Sequence, residues 1–163
     1  MKTQRLTFTA MFIAMGVLLG NLIYIPIGAA KCFPIQHAIN VIGAVILGPV
    51  YSTLCAFCIS FIRNAMGTGS ILAYPGSMVG AIIAALVYKY TKEIAGAAFG
   101  EVIGTGIIGG LIAAPLSRIV LGTEVGALFY IVPFIISSIG GAIIGCLLLK
   151  SGILIKQSKK IES

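Results

Sequence analysis

Few residues in this chain are suited to chemistry. Gln36, His37 and Asn40 sit in one polar stretch, Lys31–Asn40 (KCFPIQHAIN), between two long apolar runs. Side chains three or four apart share a helix face. Gln36 with Asn40, and His37 with Asn40, therefore present a donor–acceptor cluster to a small polar molecule. His37, the single histidine, serves equally well as a local structural bond. Glu101 stands out because it lies inside an apolar run, seven residues beyond Ile94. An acid at the centre of a bilayer costs about 2.5–3.5 kcal/mol on an insertion scale. Such groups turn toward a bundle interior or a cavity. Three roles stay open for Glu101: a ligand contact, a bond to neighbouring backbone or hydroxyls near the inner rim, or a contact to a partner protein.

Further polar side chains fall near the same ends of the apolar runs as the opening cluster. They are Arg63, Asn64, Tyr74, Ser77, Tyr130 and Ser137. Tyr74 and Tyr130 suit a cavity wall or an interfacial belt. Lys31 is expected to be a solvated loop charge, and Arg63 and Glu124 are candidates for an ion pair on that face. Cys55 and Cys58 have a C-x-x-C spacing, but no further Cys or His lies near them. Free cysteine in an apolar run acts as a small hydrophobe, and the four cysteines form no disulfide framework. There is no phosphate-binding glycine loop, H-E-x-x-H or G-x-S-x-G. With one histidine and four acids, metal or acid–base catalysis is not expected, so the chain reads as a non-enzyme.

The elements that carry these groups are membrane helices. Hydrophobic residues make up 59% of the chain and charged ones 9%, against about 25% charged in soluble domains. The net charge of +7 does not indicate nucleic acid, because the basic residues flank apolar runs as topology determinants do. Six spans are expected, over about 6–25, 36–48, 50–62, 71–87, 94–116 and 128–149, followed by a basic tail over 150–163 near anionic lipid. The first run is too long for a cleaved signal and reads as a retained span. The second and third runs are short and meet at Gly48-Pro49, where one kinked helix is the alternative. Charge decides between the two. With six spans and both termini cytoplasmic, Lys2, Arg5, Lys89, Lys92, Lys150, Lys156, Lys159 and Lys160 lie inside, against Lys31, Arg63 and Arg118 outside. The five-span arrangement reverses the bias, so the positive-inside rule favours six.

Small residues recur four apart, as close helix packing in lipid requires. The rows are Ala10/Ala14, Gly16/Gly20, Gly76/Gly80/Ala84, Gly96/Gly100/Gly104, Gly106/Gly110 and Gly141/Gly145. Pro75, Pro115 and Pro133 mark the outer ends of three spans. Broken backbone and hydrogen-bonding groups thus gather in the outer half, as for a pocket open to the outside. The class is an all-α integral membrane protein, a compact six-transmembrane-helix bundle in a single domain.

The strings KCFPIQHAINVIGAVILGP, FIRNAMGTGSILAYPGSMVGA and GEVIGTGIIGGL resemble the ThiW-type substrate-binding subunit of energy-coupling-factor transporters. The resemblance runs over roughly Thr7 to Leu149. It implies a prokaryotic cell-membrane subunit that captures a thiamine precursor, hydroxyethylthiazole, from outside. It also implies a transmembrane coupling subunit and two cytosolic ATPases, with ATP used by those partners and no cofactor in this chain. Ala10 and Ala14 match the A-x-x-x-A row that contacts the coupling subunit. A pocket for such a thiazole alcohol would draw on Gln36, His37, Asn40, Asn64, Tyr74, Ser77, Glu101, Tyr130 and Ser137. Capture of another vitamin or precursor is the nearest alternative, and a small homo-oligomeric channel or passive permease is the alternative from another class.

Overall fold

Pro34 and Pro49 each occupy the first position of a helix, where a missing N–H costs nothing. The computed structural model describes residues 2–27, 30–123, 125–126, 128–152 and 154. Within them, α1 spans Lys2–Leu22, and a short hairpin pairs β1 (Ile25–Ile27) with β2 (Ala30–Cys32). Then follow α2 (Pro34–Ile46), α3 (Pro49–Ala65), α4 (Ala73–Thr91), α5 (Ile94–Leu121) and α6 (Ile131–Lys150). Leu47 and Gly48 both return their N–H groups to the Gly43 carbonyl, at 2.8 and 3.2 Å. Gly48 takes a φ of 79°, which glycine adopts without a Cβ penalty. The two short apolar runs are therefore separate helices and not one kinked helix.

Three differences from expectation have clear causes. The first helix stops at Leu22 instead of running to residue 25, and the short hairpin forms in the loop beyond it. Pro26 removes a backbone donor there. Pro115 does not end the fifth helix, which continues to Leu121. Its middle, Val102–Gly109, is π-helical. The wider turn re-spaces the glycines. Gly104 and Gly109 face Gly80 and Gly76 of α4, while Gly106 and Gly110 face Ile135 and Ile131 of α6. One glycine-rich segment thereby serves two close seams. Other glycines of these rows also pack within the chain: Gly16 against Ile59, and Gly141 and Gly145 against α2 around Ala38 and Val41.

α2 lies in the middle, buried along nearly its whole length. The end of the bundle away from the hairpin is dry, filled by Phe12, Val41, Val45, Ala84, Ala97 and Leu149. Thr3–Leu22, Ile94–Leu121 and Ile131–Lys150 are long and apolar enough to cross a membrane, and α2 is a shorter apolar helix. Leu18, Val50, Ile119 and Leu147 are exposed on the outer surface. A surface that apolar suits lipid, in line with a membrane protein.

Candidate binding cavity

The polar side chains of α2 point into the bundle because their bonding partners lie on the surrounding helices. Gln36 donates from Nε2 to Ser60 Oγ (2.9 Å) on α3 and Ser77 Oγ (3.0 Å) on α4. Asn40, one turn on, donates from Nδ2 toward the Ser77 carbonyl and hydroxyl and to Glu101 Oε1 at 3.0 Å. Ser77 thus ties two amides of α2 to α4, in a setting where each unmade bond would cost about 1–3 kcal/mol.

Glu101 is fully buried. His37 Nδ1 lies 2.9 Å from its Oε1, and Thr105 Oγ1 lies 2.8 Å from the same atom. Oε2 has no hydrogen-bond partner among the described residues and occupies the hollow left by Gly80. A Cβ built on Gly80 would stand 2.5 Å from it. Pairing is what makes a buried ionisable group tolerable in lipid, and His37 supplies it. With Nδ1 committed to Glu101, Nε2 is the ring atom left for a molecule beside it.

Above this layer is a cavity of about 630 Å³, at the hairpin end of the bundle. Gln36, His37, Ser77 and Thr105 form its polar wall, with Ser137 receiving the Phe33 N–H at 2.9 Å. Phe33, Phe129, Tyr130 and Phe134 supply aromatic surface, and Tyr130 packs against both Phe129 and Phe134. A mostly apolar hollow with a few placed polar groups is the form of a small-molecule site. Arg63 also reaches in from the last turn of α3. It donates from Nη1 to Gln36 Oε1 (2.8 Å), from Nε to Asn21 Oδ1 (3.3 Å) and from Nη2 to the Thr68 carbonyl (3.3 Å). Its guanidinium carbon sits 4.1 Å from the Phe33 ring centroid.

The family model for ThiW, described as thiamine-precursor transporter protein, matches residues 6–154. The chain belongs to the ThiW family. It is thus a member of a transporter family and not of an enzyme family. No curated protein and no solved structure matches the chain.

Of the residues proposed from the sequence, this ThiW-family chain places Gln36, His37, Ser77, Tyr130 and Ser137 on the cavity wall. Asn40 and Glu101 lie directly behind it in the same network. The two others sit elsewhere. Tyr74 packs on Phe57 of α3, with ring centroids 5.9 Å apart. Asn64 holds the loop after α3 through bonds to the carbonyls of Ser60 and Ser70. Ala10 and Ala14 are exposed on α1. Glu101 bonds to His37 and Asn40 of α2 and to the neighbouring hydroxyl of Thr105 on its own helix. Sequence reasoning left Arg63, Asn21, Phe33 and Thr105 out of the site. For Arg63 the available signal was its place one turn from the glycine-rich loop 67–69. Its expected partner Glu124 lies outside the described residues, as does the Lys31 side chain.

Proposed function

We propose that this chain is the substrate-capture subunit of an energy-coupling-factor importer, binding hydroxyethylthiazole from outside a prokaryotic cell membrane. The bundle crosses the membrane six times with both termini cytoplasmic, in line with eight basic side chains against three across the two faces. The hairpin end then faces outward. The observation that carries the reading is a cavity with an aromatic wall at that end, with a filled apolar core beneath it. A hollow that stops at the Asn40–Glu101 layer suits capture better than conduction, which needs a continuous path.

A thiazole alcohol is small and uncharged. Its ring stacks on the Phe129–Phe134 side, and its hydroxyl and ring nitrogen bond to His37 Nε2 and Ser77. Asn40, Glu101 and Thr105 set the imidazole, so they act as positioning residues. Energy comes from ATP hydrolysis on two cytosolic ATPases through a transmembrane coupling subunit. That subunit docks on the exposed face of α1 that carries Ala10 and Ala14, where small residues permit close helix approach.

The test is a direct titration of the purified chain with hydroxyethylthiazole, thiamine and riboflavin. Saturable binding of the thiazole alone is expected. Binding of only one of the other two would overturn the substrate while leaving the capture role.

A further inference from the structure

We propose that the Arg63 end of the cavity is an oxyanion subsite, so that the preferred occupant is a heteroaromatic compound bearing a carboxylate or a phosphate ester. The inference rests on the capture reading above and moves the preferred substrate from the uncharged thiazole alcohol to an acidic relative of it. Three observations carry it.

The first is a buried charge with no carboxylate beside it among the described residues. Arg63 is 2% exposed, and guanidinium stays protonated in proteins. Among the described residues no carboxylate lies within ion-pair distance of it, and the buried carboxylate of Glu101 is bonded to His37 instead. Glu101 reaches Arg63 only through Asn40, Ser77 and Gln36, and its Oε1 is already shared by three groups. Every acceptor bonded to Arg63 is a neutral amide or peptide oxygen. A buried charge without a counter-charge is strongly destabilising. It is tolerated where the counter-charge arrives with a ligand.

The second is the donor count. Guanidinium carries five N–H donors, and three are engaged. The remaining two suit an oxyanion, which the planar fork of arginine matches in geometry. Phe33 covers one face of the group at 4.1 Å, which leaves its edge to serve the cavity.

The third is space. The cavity measures about 630 Å³, and a single five-membered ring with two short substituents fills only part of it. A ring held at the His37 side leaves room toward Arg63 for an attached acidic group.

The experiment titrates the full-length chain in detergent with four probes: the thiazole alcohol, its phosphate monoester, the corresponding thiazole acetic acid, and the methyl ester of that acid. The acid is expected to bind at least about tenfold more tightly than its methyl ester, roughly 1.4 kcal/mol. In Arg63→Gln that preference of acid over methyl ester falls below about threefold. Arg63→Lys keeps part of it, because the charge remains and the fork is lost. Of the acid and the phosphate ester, the one with the larger gain over its neutral counterpart names the oxyanion. Equal binding of acid and methyl ester by the unaltered chain, with the phosphate ester no tighter than the alcohol, overturns the proposal. That contrast needs no variant, so it decides even where Arg63→Gln fails to fold. Failure of all four probes, the alcohol included, overturns the capture reading instead.

Discussion

Gly80→Ala tests whether the buried carboxylate is seated against α4 as described. The added Cβ would fall 2.5 Å from Glu101 Oε2 and 2.9 Å from Glu101 Cδ, and would also strike Thr105 Oγ1. Neither neighbour is a loose end. Glu101 is held at Oε1 by His37, Asn40 and Thr105, and Thr105 Oγ1 also lies 3.0 Å from the Gly76 carbonyl. The helices cannot simply part at this point, because Gly104 approaches the Gly80 backbone so closely that its own added Cβ would stand 2.7 Å from Gly80 Cα. Overpacking a tight contact costs about 1–3 kcal/mol. Swinging the carboxylate aside strands buried donors at about 1–3 kcal/mol each. A loss of about 3 kcal/mol corresponds to a fall of about 6–12 °C in Tm for a chain of this size. Thermal unfolding of the purified protein in detergent measures it. Gly126→Ala is the control: nothing lies within 4 Å of the added Cβ, so its effect should stay within about 0.5 kcal/mol. Binding of the thiazole alcohol should weaken in Gly80→Ala, because displacing Glu101 releases His37. If Gly80→Ala melts within about 2 °C of the unaltered chain, the carboxylate does not occupy that hollow, and the account of how His37 is positioned fails with it.

Two further outcomes are expected. Ala14→Trp places a bulky side chain on an exposed part of α1. It should abolish co-purification with a coupling subunit while thiazole affinity stays within about twofold; lost binding with intact assembly would contradict the placement of that row. Cys32 lines the cavity, and its thiol donates to the Pro133 carbonyl at 3.2 Å. Burial pushes this thiol above its ordinary range, so its thiolate, the reactive form, is scarce at neutral pH. In a variant with Cys55, Cys58 and Cys146 replaced by alanine, iodoacetamide labelling should be slow at neutral pH, climb as the solution becomes alkaline, and slow again when the thiazole alcohol is bound. A labelling rate that already plateaus near neutral pH argues against the buried placement.

Much of the fold was legible because it is written locally. Proline at a first helical position and glycine at a left-handed turn act within a few residues, so the starts of α2 and α3 and the break between them follow from Pro34, Gly48 and Pro49. Small residues four apart mark close seams whatever the partner, and Gly76/Gly80 and Gly141/Gly145 are used that way. The grouping of Gln36, His37 and Asn40 on one part of a helix is also local. Tertiary structure decided which partners those groups meet. His37 and Glu101 are 64 positions apart and come within 2.9 Å only because α2 and α5 are packed side by side. The π-helical turn at Val102–Gly109 arises where one segment must offer glycine to two neighbours, which four-residue spacing cannot reveal. Arg63 and Tyr74 show the limit most plainly. Residue type left the arginine a candidate for an outer-face ion pair and the tyrosine open between cavity wall and interfacial belt; the structure buries the arginine beside the cavity and packs the tyrosine on Phe57. A few tens of degrees of rotation separate a side chain that lines a cavity from one that packs on a neighbouring ring. That angle is set by packing across the whole bundle and not by the order of residues along one helix.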